Sequence, residues 1–170
     1  MRYIQQNLLK SETFIYGVRP HWVIFSSATW MFVLAFGVLF YGNGSIFEWL
    51  IYDSITVREI VAGAFFVIGV YWFVQAYIYY ISSEYGVTDK RVVVKTGLIQ
   101  RKSLELMLDK VEGVLVDQSI IGRIFNYGMI TIIGTGGTRD SYLYIPDPLR
   151  FRNMVQQQIE NFEERFRMPP

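Results

Sequence analysis

Cysteine is absent from the 170 residues, and histidine occurs once, at His21. The first absence excludes disulfides and thiolate metal sites, and a single imidazole excludes a histidine ligand cluster. A Ser-His-Asp arrangement would have to use His21, which directly precedes a long apolar run. Charge is also scarce: charged residues make up 18% of the chain, and 16 basic against 15 acidic side chains leave a net charge of +1. That balance supplies no global field pointing to nucleic acid. The chain is instead 52% hydrophobic and 17% aromatic. The apolar excess is concentrated in two runs, 22–41 and 60–81, neither of which holds a charged side chain.

Each run is about 20 residues, the length that crosses a hydrocarbon layer as a helix. In lipid every backbone N–H and C=O must be paired within the segment, which an isolated helix achieves. The first run is too long for a signal-peptide core, and no small-x-small cleavage site follows it. Gly42-Asn43-Gly44-Ser45 instead reads as a turn out of the membrane. The sequence therefore predicts a leader over 1–21, a transmembrane hairpin over 22–81 with helices at about 22–41 and 60–81, and an external loop over 42–59. Residues 82–170 then form a cytoplasmic domain.

Arg19-Pro20-His21-Trp22 places a cation, a helix-start proline and an amphipathic ring where the first span begins. Ser26, Ser27, Ala28, Ala35 and Gly37 in the first span, and Ala62, Gly63, Ala64, Gly69 and Ala76 in the second, are small enough for close helix approach. They suit packing of the spans on each other, on another copy, or on another membrane protein. Gln75 is the one strongly polar side chain deep in either run. Arg2, Lys10 and Arg19 precede the hairpin, and Lys90, Arg91, Lys95, Arg101 and Lys102 follow it. The loop carries Glu48, Asp53 and Glu59 against Arg58. The positive-inside rule puts both termini in the cytoplasm, with Tyr77, Tyr79, Tyr80 and Tyr85 as an inner aromatic belt. The stretch 46–52 is expected at the interface as an amphipathic segment.

After residue 82 the pattern changes to short strands. Residues 84–88 lead into an Asp89-Lys90 turn, 91–95 is β-branched, and 98–108 alternates Leu104, Leu106 and Leu108 with Glu105 and Met107. Further strands are predicted at 114–116, 129–133 and 141–145, with a helical turn and loop over 119–127 and a hairpin turn over 134–139. Asp147-Pro148 opens a helix whose Phe151, Val155, Ile159, Phe162 and Phe166 form one apolar stripe.

Three segments carry a family resemblance. Val87-Thr88-Asp89-Lys90-Arg91-Val92-Val93-Val94-Lys95-Thr96-Gly97-Leu98-Ile99 resembles the opening of the bacterial PH domain, the membrane-anchored type once filed as a domain of unknown function. Gln118-Ser119-Ile120-Ile121-Gly122-Arg123-Ile124-Phe125-Asn126-Tyr127-Gly128 is similar to its second signature, and Ile133-Gly134-Thr135-Gly136-Gly137 to its third. The resemblance implies an α+β membrane protein: a two-helix hairpin followed by a PH-like antiparallel barrel or sandwich, partly open and closed by the C-terminal helix. It places Gly97, Gly128, Gly136 and Gly137 at turns that need positive φ.

Function does not follow from such a fold. The expectation is a non-enzymatic, membrane-anchored binding or scaffolding module on the cytoplasmic face of a bacterial inner membrane, acting by protein–protein or self-association, with no cofactor, metal or nucleic acid. The alternative is recognition of an anionic lipid headgroup by Lys90, Arg91, Lys95, Arg101 and Lys102. Headgroup-binding PH domains place their cations near the tip of the corresponding hairpin. Gly134-Thr135-Gly136-Gly137-Thr138 lacks the Lys-Ser/Thr of a phosphate loop and joins strands, so it reads as a plain turn. Glu105, Asp109, Glu112 and Asp117 match no calcium-loop spacing and read as a solvated strand edge.

Overall fold

The computed structural model describes residues 2–41, 50–52, 55–97 and 102–167. In chain order these form α1 (Arg2–Gln6), β1 (Phe14–Val18), α2 (Ser26–Tyr41, entered through a 3-10 turn at Trp22–Phe25), β2 (Leu50–Tyr52), β3 (Ile55–Thr56) and α3 (Val57–Ser82). Then follow β4 (Glu84–Thr88), β5 (Arg91–Thr96), β6 (Lys102–Met107), β7 (Val111–Asp117), α4 (Ile120–Ile124), β8 (Tyr127–Gly134), β9 (Thr138–Pro146) and α5 (Pro148–Arg167). The chain divides into two compact units. One joins Met1–His21 to Tyr79–Pro170, and the other is Trp22–Ile78.

The first unit contains two antiparallel sheets, ordered β1-β4-β5-β6 and β7-β8-β9. Val87, Val92 and Val94 from one sheet and Val114, Ile130, Ile132 and Ile145 from the other share a core with Phe151 and Val155 of α5. Strand β8 shows why its sequence is a strand: buried and half-buried residues alternate along its whole length. The α5 stripe is confirmed through Phe162, and the side chain of Phe166 lies outside the described residues. Among the described residues the two sheets share no ladder, so the fold is a pair of sheets with a covering helix rather than a closed barrel.

The segment 1–21, expected as a separate leader, is part of this unit. Strand β1 pairs antiparallel with β4, Gly17 opposite Gly86, and α1 lies on the outer face. Gly86 makes that packing possible: a Cβ there would stand 2.7 Å from Ile4 Cδ1 and 3.2 Å from Phe14 Cε2. Covered on both sides, all five residues of β4 are buried.

Two further expectations change. Tyr85 is a core residue, 1% exposed, rather than part of an interfacial belt. Gly128 does not have positive φ, whereas Gly97, Gly136 and Gly137 do. Gly128 is required for space instead, since a Cβ would meet the Asp117 carbonyl oxygen and Gln118 Cγ, each at 2.7 Å. Residues 50–52 form β2, which pairs antiparallel with β3, while 46–49 lie outside the described residues, as do 98–101 of the long expected strand.

The second unit packs α2 antiparallel to α3. Phe25 faces Phe73 and Phe32 faces Phe66, both with ring centroids 5.5 Å apart. Ala28, Ala35 and Ala62 are buried, and a Cβ on Gly69 would stand 2.9 Å from Phe32 Cε1. Gly69 thus leaves room for the Phe32 ring between the two helices. The segments Trp22–Tyr41 and Val57–Ser82 are long and apolar enough to cross a membrane by length and composition.

Candidate functional site

The described cations among the candidate headgroup residues do not form one cluster. Arg91 and Lys95 stand at opposite ends of β5, about 13 Å apart along an extended strand. The Arg91 end is tied into a carboxylate network. Arg91 Nε and Nη2 donate to the two Glu12 carboxylate oxygens, both at 2.8 Å. Arg91 Nη1 donates to Glu105, and Arg91 Nη2 also donates to the Asn7 carbonyl at 3.0 Å. Thr88 Oγ1 and the Leu9 N–H complete the shell around Glu12 at 2.8 and 2.9 Å.

The Glu12 side chain is 0% exposed. Burial alone raises its pKa, but hydrogen bonds from Arg91, Leu9 and Thr88, with the Arg91 charge, hold it below the ordinary 4.5. The hydrogen bond to Glu12, with the charges of Glu12 and Glu105, pushes Arg91 upward against desolvation. Arg91 therefore fastens the N-terminal segment to the sheet. Lys90 beside it donates from Nζ to Ser11 Oγ, and the Thr13 N–H donates to Asp89 Oδ1 at 2.8 Å. Arg165 near the end of α5 approaches Asp89 at 3.7 Å.

Lys95 lies at the other end. Its partner across β4 is Glu84, two residues after α3 ends, and Lys102 pairs with neighbouring Thr96. Lys95 Nζ sits 3.9 Å from the centre of the Tyr3 ring, a contact worth about 0.5–1 kcal/mol at an exposed site. Arg101 and the Lys102 side chain lie outside the described residues.

Aromatic contacts gather at this same end. The His21 N–H donates to the Tyr144 carbonyl at 2.6 Å, and its ring stacks on Tyr127 with centroids 5.4 Å apart. Burial lowers the His21 pKa below 6.5. The Tyr79 and Tyr85 hydroxyls share a hydrogen bond at 2.9 Å, and the Tyr85 ring meets Tyr142 edge-on at 5.8 Å. The Tyr142 hydroxyl is pushed up to about 12 by burial, with Asp140 and Tyr79 adding to the effect. Of the residues bordering Trp22–Ile78, His21 before it is thus tied to β9, and Tyr79 after it is bonded to Tyr85 of β4.

Beside Tyr127 stands α4. Ser119 caps it by accepting from the Gly122 N–H at 3.0 Å, and Gln118 Nε2 donates to the Tyr127 carbonyl at 3.1 Å. A Cβ on Gly122 would lie 2.6 Å from that carbonyl, so the short helix is pressed against the start of β8. Its isoleucines face outward, with Ile120 80% and Ile124 72% exposed. A cleft of about 420 Å³ beside it is lined by Val116, Gln118, Arg123, Asn126 and Leu149. The sequence indicates the helical turn but not the direction of its side chains. Nor does it reveal Glu12, because nothing in the pattern of 1–21 pairs that residue with a strand distant in sequence.

Among the described residues no group of His, Cys, Asp and Glu is arranged to hold a metal ion. Gly134–Thr138 is a hairpin turn, closed by a Gly137 N–H to Gly134 carbonyl bond at 3.2 Å.

Residues 29–159 match the bacterial PH domain family. The chain belongs to that family. Among solved structures it is similar to a DUF1696 family protein with a pleckstrin-homology domain from Shewanella loihica PV-4, at 16% identity and TM-score 0.35. That match covers 49% of this chain and 72% of the other. No curated protein matches the chain.

Proposed function

We propose that this chain is a membrane-anchored PH-like binding or scaffolding module on the cytoplasmic face of a bacterial inner membrane, acting by protein–protein or self-association. The observation that carries the reading is that the two long apolar helices interrupt a single compact unit. Strand β1 precedes them, β4 follows them, and the two strands pair. If the helices cross, both ends of the hairpin must emerge on one side, because one sheet cannot straddle a bilayer. The excess of Lys and Arg on that side over the connecting loop supports the cytoplasm as that side. Self-association draws support from the open face of α2, a groove of about 710 Å³ that includes Thr29, Val33, Gly37 and Tyr41. Gly37 has nothing within 4 Å of a built Cβ, which leaves room for a further helix.

Cross-linking of the full chain in lipid nanodiscs or native membrane extracts tests this. The expected result is a discrete higher-mass species that Gly37→Leu diminishes. A chain that stays monomeric and recovers no protein partner would contradict the proposal.

A second reading keeps anionic headgroup binding at Lys95, Arg101 and Lys102, without Arg91. It is favoured by the register of Lys95 with Glu84, just beyond the end of α3. Cations at such a juxtamembrane position are each attracted by about 1 kcal/mol. Native mass spectrometry of the full chain would show anionic lipid retained, and lost on joint Lys95→Ala, Arg101→Ala and Lys102→Ala substitution. Equal retention in the variant would remove this site.

A further inference from the structure

We infer that α4 is a membrane-dipping wedge: Ile120, Ile121 and Ile124 enter the interfacial layer of the leaflet in which the chain is anchored, with Arg123 meeting anionic headgroups. This rests on the proposal that Trp22–Tyr41 and Val57–Ser82 cross that membrane. A helical turn this apolar is rarely left to water, and its position gives it an occupant. Trp22, the first residue of the apolar run, is one peptide unit from His21, or about 3.8 Å between Cα atoms. His21 is fixed to Tyr127 and Tyr144, and α4 is pressed on the Tyr127 carbonyl. Chain continuity therefore puts α4 at the same end of the β unit as His21, the residue from which the chain enters the apolar run. Tyr79, at the end of the second apolar segment, is bonded to the same end of the β unit through Tyr85 and Tyr142.

The composition suits an interface. Ile120, Ile121 and Ile124 present branched apolar surface, Arg123 is exposed among them, and Leu143 and Leu149 add exposed apolar side chains nearby in the fold. Tyr127 and Tyr144 supply amphipathic rings of the kind that sit at headgroup depth. The opposite end of the unit, at Asp89, Lys90 and Arg165, is polar and ion-paired. The unit thus differs in character between the end joined to the apolar helices and the end remote from them. A wedge at the joined end would add a third attachment and restrict rocking of the β unit on its tethers.

The absence of cysteine allows single labels without background. Ile120→Cys, Ile124→Cys, Leu34→Cys within the first span, outside the α2 groove, and Arg139→Cys at the remote end would each carry an environment-sensitive fluorophore. The full chain is reconstituted in phosphatidylcholine–phosphatidylglycerol vesicles holding spin-labelled lipids. An interfacial apolar face reaches about 5–10 Å into the leaflet, so the Ile120 and Ile124 labels should be quenched by shallow spin labels about threefold more than the Arg139 label. The Leu34 label should respond most to deep ones. If the Leu34 label is quenched while the Ile120 and Ile124 labels behave like Arg139, the wedge is wrong and the anchor stands. If those two labels are blue-shifted but unquenched, a protein surface covers α4 and the wedge is again wrong. If the Leu34 label is also unquenched, the anchor fails and the wedge with it.

Discussion

Replacing Glu12 by alanine should loosen the whole N-terminal segment from the β unit. In the native structure Glu12 takes two hydrogen bonds from Arg91 at 2.8 Å, one from Thr88 and one from the Leu9 N–H. The side chains are 11% and 0% exposed for Arg91 and Glu12. Breaking a buried ion pair from one side costs about 3–5 kcal/mol because the remaining charge is left uncompensated. Glu105 would still face Arg91, and its side chain is 40% exposed, so the low end applies, about 3 kcal/mol. At about 3–6 °C per kcal/mol for a unit of this size, thermal unfolding in detergent should shift down by about 10–20 °C. Hydrogen exchange at Phe14–Val18 should accelerate first. The joint variant Glu12→Leu with Arg91→Met removes both charges and should recover most of the loss, giving a coupling energy of a few kcal/mol. The folded pKa of Glu12 is depressed, so its contribution is present above the unfolded value near 4.5 and is lost as pH falls through the lower folded value. A Glu12→Ala change costing under about 1 kcal/mol, or a double variant no better than the single, would refute the clamp.

Gly86→Val should displace α1, because the added atoms collide with Ile4 and Phe14. The expected cost is about 1–3 kcal/mol, with faster proteolysis within residues 2–13 and an intact β7-β8-β9 sheet by hydrogen exchange. Gly69→Ile should separate α2 from α3 at Phe32. Engineered cysteines at positions 32 and 69 cannot report this together, so a cross-link between positions 25 and 73 is the readout, and it should weaken several-fold. His21 is the sole imidazole and should titrate below 6.5 by NMR. Its packing contribution is complete above pH 6.5 and declines as pH falls toward its depressed folded value. A titration at or above 6.5 would contradict its seat against Tyr127.

Much of the fold is legible because its signals are local. The β-branched run of β5, the turn at Gly136-Gly137, the Asp147-Pro148 helix start and the apolar stripe of α5 each follow from residues a few positions apart. The place of 1–21 is not local. Strand β1 is a single short strand whose partner, β4, lies beyond both apolar helices, and no period within Phe14–Val18 points to it. The candidate cations show the same limit. Composition gathers Lys90, Arg91, Lys95, Arg101 and Lys102 into one basic stretch. A strand extends about 3.3 Å per residue, however, and carries Arg91 to a buried carboxylate at one end while Lys95 stays at the other. Gly128 reads as a turn glycine in sequence and is a contact glycine in space.

The central claim is that the apolar pair crosses the membrane as a hairpin inserted within one PH-family unit. Cysteine at Asn43 in the connecting loop and at Arg139 in β9, probed with a membrane-impermeant maleimide on intact cells, tests it most directly. The account predicts labelling at position 43 in intact cells and at position 139 only after the membrane is opened. Labelling of position 139 from outside, or recovery of the full chain in the detergent-free soluble fraction, would contradict it.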